Sequence, residues 1–291
     1  MKRLTSPSWY ALFTAPLLSV FALVVLVPFF MGIGYSFVTW DGLPLNPMEF
    51  AGFGNYAALF SDGRFLDSAK HTMLFTALAI ALINALALAF ALVATSKLKT
   101  RNIARTMLFM PYLIGGLILG YIWKFILGDA FKAIGEATGL TSIFFNWLLD
   151  PTFALLATVA VTTWQMAGYI MIIYITGIQS IPEEVLEAAQ VDGAGFWRTL
   201  FQIKFPLIMQ SFTICLFLTL SNCFKIFDVN LSLTAGGPYL ATEMFAMNIY
   251  NEIFSLSNFG YGQAKAVFFF IIVAGFTLAQ VAATKKREVE A

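Results

Sequence analysis

Side chains able to do chemistry are scarce in this sequence, and those that stand in its apolar stretches are mostly neutral. Its single histidine is His71, and its two cysteines, Cys215 and Cys223, share one apolar run. That pattern supports neither a disulfide framework nor metal-ligand spacing. No His-Glu-x-x-His cluster and no paired Asp or Ser nucleophile is present, so an intramembrane enzyme has no candidate catalytic residues. What remains is hydrogen-bonding capacity at helical spacing. Thr158, Thr162, Gln165 and Tyr169 fall at i, i+4, i+7 and i+11 and so share one helix face. Cys215, Thr219 and Asn222 repeat that spacing, with Ser221 beside them, and Tyr112, Gly115 and Gly116 form a third group. In apolar surroundings such groups can hold a neutral, hydroxyl-bearing solute. The same groups can instead bond one helix to another. Helix bonding is the expectation for the threonines, and both readings stay open for Gln165 and Asn222. Tyr112 could equally pack beside Pro111, and the two glycines could simply allow close helix approach.

The elements that must position these residues follow from composition. Of 291 residues, 59% are hydrophobic and only 11% charged. A soluble domain carries roughly 25% charged residues, so lipid is the natural solvent for this surface. Six stretches reach the roughly 20 apolar residues needed to cross a bilayer. They cover 9–37, 72–96, 103–127, 153–178, 206–227 and 264–284. Spanning segments must satisfy their own backbone, so helices are expected. The first is too long for a signal-peptide core of roughly 7–15 residues and is read as a retained span. Pro16, Pro28 and Pro111 predict kinks within spans.

Orientation follows from the basic flanks. Lys2 and Arg3, then Lys97, Lys99, Arg101 and Arg105, then Arg198 and Lys204, then Lys285, Lys286 and Arg287 all fall on one side if six spans are right. That side is the cytoplasm, so both termini are expected there. Opposite loops mix Arg64, Lys70 and Lys132 with a larger number of carboxylates.

Absences bear on the energy source. No charged residue lies between Leu74 and Ser96, between Met107 and Trp123, or between Phe153 and Ile181. Ion-coupled carriers keep such groups at membrane depth. His71 sits at the mouth of span two and is expected to be a satisfied interfacial residue. Lys225 and Asp228 lie at the outer end of span five, where long side chains can snorkel. No GxxxxGK[ST] phosphate loop is present. Energy for active transport must therefore enter through a partner docked on the cytoplasmic face.

Residues 180–206 are built differently from the other loops. Ser180 and Glu183 have capping-box spacing, Pro182 suits a first helical turn, and Glu183 and Glu184 favour the positive end of the helix dipole. Asp192-Gly193 supplies a stop and a turn. A second short helix is expected over Phe196 to Ile203, with Pro206 opening span five. The residues Glu187, Ala188, Ala189, Asp192, Gly193 and Ala194, followed by Ile203, Phe205 and Pro206, resemble the EAA loop of ABC-importer permeases. Phe205 replaces the more usual leucine.

The resemblance continues in Gly52-Phe53-Gly54-Asn55-Tyr56, in Arg105 to Tyr112, and in Leu233-Thr234-Ala235-Gly236-Gly237-Pro238 with Thr242-Glu243. These are similar to the carbohydrate branch of that family, in its compact six-span form. The resemblance implies an all-α, polytopic membrane protein with a MalF-like type I importer fold and a single permease domain over 1–291. It implies no catalytic residue, no metal and no cofactor in this chain, with ATP and Mg on a partner ATPase. The coupling residues it implies are Glu187, Ala188, Ala189, Asp192, Gly193 and Ala194. Substrate-pathway residues would be Tyr112, Gly116, Thr162, Gln165, Tyr169, Thr219 and Asn222. Expected partners are a second homologous permease, two ATPase subunits, an extracytoplasmic sugar-binding protein and the bilayer, with no nucleic acid. The expected location is a bacterial or archaeal plasma membrane. A non-sugar solute such as glycerol-3-phosphate, or ion-coupled secondary transport, are the alternatives.

Overall fold

The computed structural model describes residues 7–96 and 100–286. Lys2, Arg3, Lys97, Lys99 and Arg287, which contribute to the charge argument, lie outside the described residues. In chain order the helices are α1 (Pro7–Phe21), α2 (Val27–Tyr35), α3 (Gly54–Leu59), α4 (Gly63–Ala94), α5 (Arg101–Phe109), α6 (Gly116–Phe125), α7 (Phe131–Thr138), α8 (Pro151–Gln179), α9 (Glu183–Val191), α10 (Phe196–Arg198), α11 (Phe205–Leu207), α12 (Met209–Phe224), α13 (Asp228–Leu233), α14 (Phe245–Tyr250) and α15 (Phe259–Lys285). One antiparallel pair, β1 (Val38–Thr39) and β2 (Glu49–Phe50), aligns Val38 with Phe50.

Among the described residues, four helices are long and apolar enough to cross a membrane unbroken: Leu12–Tyr35, Gly63–Ala94, Pro151–Gln179 and Phe259–Lys285. Two further candidates are bent pairs. Arg101–Leu113 and Gly116–Thr138 meet at 96°, and Phe196–Leu207 and Met209–Phe224 meet at 74°. The stretches 103–127 and 206–227 therefore both contain a break, the first at the kink expected from Pro111 and the second where no kink was expected.

The causes are local. Pro111 lacks an N–H and falls in a 3-10 turn over Met110–Leu113, after which Ile114 and Gly115 are extended. In the second pair the helix stops at Leu207, one residue past Pro206, and restarts at Met209. Pro28 and Pro206 share a device: each closely follows a π-helical turn, Ala22–Leu26 and Thr199–Lys204. A wider turn relieves the clash between the proline ring and the preceding carbonyl without ending the helix there.

The chain divides into two compact units. The first takes the residues up to Gly63 together with Ile249–Ile271. Within it, Lys265 is fully buried between Asp62 (2.8 Å) and Glu252 (2.6 Å), and its ammonium lies 4.7 Å from the centre of the Tyr261 ring. Asn258 donates to the other oxygen of Glu252 at 2.8 Å. A buried ammonium needs such paired and hydrogen-bonded surroundings. Composition gave no hint of it, because the three charges lie in separate stretches of the sequence. In the loop after α2, the Leu43 N–H and then the Asn46 amide hold the Asp41 carboxyl below its ordinary range.

The second unit comprises Arg64–Asn248 with the chain from Ile272 onward. Its spine is α8. Asp150 caps it, accepting from Thr152 N (2.9 Å) and Phe153 N (3.0 Å), with Pro151 in the first turn. Tyr174 of α8 donates to Asn84 Oδ1 of α4 at 2.8 Å, and Asn84 Nδ2 donates to Thr219 Oγ1 of α12 at 3.1 Å. This ladder pins three helices together in surroundings that offer no water. His71, expected to be satisfied, has a buried Nδ1 with no hydrogen-bond partner among the described residues.

Candidate functional site

Both broken spans end at one cavity. Its volume is about 270 Å³, and its lining includes Tyr112, Gly116, Thr162, Gln165, Met166, Asn222, Lys225 and Asp228. The α5/α6 break supplies Tyr112 and Gly116, α8 supplies Thr162, Gln165 and Met166, and the end of α12 with the start of α13 supplies the rest. Interrupted helices leave backbone groups unpaired at the break, where they can face a solute. One such group is the Ile114 carbonyl, which accepts from Gln165 Nε2 at 3.0 Å. Gln165 thus braces the break with its amide nitrogen, and its Oε1 has no protein partner among the described residues. Asn222 behaves similarly: its Nδ2 donates to Leu218 O at 2.8 Å, leaving its own oxygen for the cavity.

Five of the seven pathway residues read from sequence line this cavity: Tyr112, Gly116, Thr162, Gln165 and Asn222. Tyr169 is one step removed. Its ring stacks on Tyr112 at 4.4 Å and 8°, which fixes the Tyr112 ring plane. Thr219 does not reach the cavity. It is fully buried, bonded to Asn84 and donating to Cys215 O at 2.8 Å, so it joins helices. Thr158 likewise turns inward and donates to Ala154 O.

Sequence reasoning missed Lys225 and Asp228 as cavity residues, having read them as snorkelling end groups. Neither forms an ion pair among the described residues. The missed signal was the end of α12 at Phe224 and the restart at Asp228, which turns residues 225–228 across the cavity. The short helices α6 and α13, which follow the Pro111–Gly115 break and the turn after Phe224, pack side by side. A Cβ on Gly116 would press on Asp228, and one on Gly120 would overlap Ser232 and meet the Leu233 backbone nitrogen at 3.1 Å. Contacts that advance together along both chains make α6 and α13 parallel, in a seam that needs a glycine at 120.

The loop after α8 has its own geometry. Ser180 does not cap α9. Its hydroxyl donates to Gly177 O as part of the end of α8, and Pro182 occupies the cap position of α9 without a side-chain bond. The expected capping box is absent because Ser180 still belongs to the preceding helix. The end of α9 follows the sequence closely. Gly193 has φ +68, Gly193 N bonds Gln190 O (3.1 Å), and Ala194 N bonds Ala189 O (2.9 Å). These are the two bonds of a Schellman motif. Glu187, Ala188 and Asp192 face solvent, whereas Ala189 is buried within the chain. Val191 is 88% exposed, and Trp197 and Phe201 stack outward at 5.9 Å. That exposed apolar set went unread in the sequence. A soluble monomer rarely leaves such a group uncovered.

A fold of interrupted helices around a polar cavity, with an exposed helix–turn–helix loop, is that of a transport permease. The sequence model of the family described as "binding-protein-dependent transport system inner membrane component" matches residues 87–287, and the chain belongs to that family. It is 46% identical over 282 residues to the "probable starch degradation products transport system permease protein AmyD" of Thermoanaerobacterium thermosulfurigenes, covering 97% of this chain and 96% of the relative. It is 32% identical to the "sn-glycerol-3-phosphate transport system permease protein UgpA" of Agrobacterium fabrum, over 82% of each. A chain from the solved structure of a bacterial ABC transporter "involved in the import of the acidic polysaccharide alginate" superposes with a TM-score of 0.81 at 20% identity, over 95% of this chain and 96% of the other. The all-α importer fold expected from the sequence is thus the fold observed, and the chain is an inner-membrane transport component rather than an enzyme.

Proposed function

We propose that this chain is one permease subunit of an ATP-driven sugar importer. The cavity where both broken spans meet α8 carries that reading. It combines an apolar wall, a fixed tyrosine ring and two amide oxygens facing inward, which suits a hydroxyl-rich neutral solute. A relative of 46% identity named for starch degradation products supports the same class. In this reading a second homologous permease completes the pathway, and an extracytoplasmic binding protein delivers the solute. The N- and C-termini face the cytoplasm. Two ATPase subunits hold ATP and Mg, one of them seated on Glu187, Ala188, Asp192, Gly193 and Ala194 and on the exposed Val191. Movement of α9 as a rigid piece would then turn the helices attached to it.

Sugar-stimulated ATP hydrolysis by the reconstituted complex with its binding protein tests this reading. Stimulation by at least one malto-oligosaccharide, lost in Gln165→Leu and Asn222→Leu, is the expected result. A complex that no sugar stimulates overturns it. Lys225 favours a second reading, a phosphate-bearing solute as in the relative named for sn-glycerol-3-phosphate. Asp228 in the same wall opposes an anion, and a glycerol-3-phosphate arm in the same assay decides between them.

A further inference from the structure

The α6/α13 pair ends in a cavity at each of its two ends. The first holds Gly116 and Asp228, at the start of both helices. The second, of about 300 Å³, lies at their far ends and holds Lys124 and Asp129, the Asn146 side chain, and the apolar surfaces of Leu148, Leu149 and Pro238. From Gly116 to Lys124 along α6 is about 12 Å at about 1.5 Å per residue. Lys124 and Asp129 have no ion-pair partner among the described residues. Asn146 Oδ1 accepts from Leu148 N at 3.0 Å, which leaves its amide protons unused. Tyr239 follows Pro238 in the chain. It is 95% exposed and held at φ +51, a left-handed conformation that an aromatic residue rarely adopts. An aromatic ring held in solvent at such a backbone position points to a function there.

We propose that this far cavity is a second carbohydrate station, so that the solute is a linear oligosaccharide long enough to engage both ends of the α6/α13 pair. The proposal rests on the sugar-importer reading. One cation, one anion and one amide offer donors and acceptors to hydroxyl groups without net charge, and the leucines and Pro238 offer an apolar face to sugar C–H groups. Neither cavity alone requires a chain. Two of similar size, at opposite ends of one helix pair whose lining residues Gly116 and Lys124 are about 12 Å apart along α6, offer places for two segments of one chain.

Uptake of maltose, maltotriose and maltohexaose by the reconstituted complex tests the proposal. In Asp129→Asn, Lys124→Gln and Asn146→Ala the ratio of maltohexaose to maltose uptake should fall about tenfold, as lost hydrogen bonds to a bound ligand predict. An unchanged ratio overturns the station. Because a substitution can also disturb assembly, Asp129→Cys supplies a second measurement. Cys215 and Cys223 are buried, so maleimide should label the new thiol over a low background. Maltohexaose should slow that labelling and maltose should not. A rate that maltohexaose leaves unchanged overturns the proposal even where uptake is impaired. A wild-type complex that takes up none of the three sugars overturns the station, and one that no sugar stimulates overturns the sugar reading itself. Normal maltose uptake with no preference for length overturns the station alone.

Discussion

The loop after α8 and the cavity between the broken spans are built on opposite principles. The end of the loop helix is closed by bonds among residues 188–194, all near neighbours in sequence. The cavity wall takes Tyr112, Gln165 and Asn222 from three separate helices, and the Gln165–Ile114 bond crosses 51 positions of the chain. Local signals therefore describe the glycine turn that ends the loop helix, and describe the cavity only in part. Damage should differ accordingly. Altering the loop should uncouple the transporter without unfolding it, whereas altering the cavity frame should cost stability before specificity.

The largest effect is expected at the seam. Gly120→Leu would drive a side chain into Ser232 and the Leu233 backbone, a cost of about 3 kcal/mol or more for overpacking against atoms that cannot yield. The amount of assembled complex in membranes should collapse, and a normal amount would break the claim that the α6/α13 seam frames the cavity. Next comes Gly193→Pro, which fixes φ near −65° where the turn needs +68. Sugar-stimulated ATP hydrolysis should fall at least about tenfold while membrane levels of the chain stay constant, because a helix end costs little global stability. Normal transport by this variant would sink the rigid-lever account.

A sharper contrast separates a helix-joining residue from a cavity-lining one. Tyr174→Phe removes the hydroxyl that reaches Asn84 and should lower thermal stability by about 1 kcal/mol. The apparent KM for sugar should not move. Asn222→Leu should do the reverse, raising KM by roughly 5- to 30-fold for one or two lost hydrogen bonds at about 1–2 kcal/mol, with little change in melting. Equal responses in the two variants would erase the distinction drawn between Tyr174 and Asn222. The smallest effect belongs to Ser180→Ala, expected within about 0.5 kcal/mol because the serine caps nothing in α9.

Much of this was legible beforehand, for identifiable reasons. Five of the seven expected pathway residues line one cavity, since a polar group in an apolar run has few other uses. Tyr169 and Thr219 show where that argument fails. They carry the same helical spacing as Gln165 and Asn222, but helical spacing assigns a face without saying what the face meets. Lys225 and Asp228 were misplaced because a straight span five would carry them to its end, and the turn after Phe224 brings them across the cavity instead. Lys265 was missed because its two carboxylates lie 203 and 13 positions away in the chain.

The neutral hydrogen-bonding groups on the apolar spans were determined by the sequence alone, as were the membrane-spanning character and the helix–glycine turn–helix loop. Composition, the length of apolar runs and short-range backbone preferences act on neighbouring residues, so neighbouring residues suffice to read them. Which of those groups face the cavity and which join helices was decided by tertiary structure. The breaks at Pro111–Gly115 and at Ile208 bend two spans by 96° and 74°, and the close seam at Gly120 sets which faces meet. Bend direction and helix register arise from packing between distant segments, and no single stretch of sequence contains them.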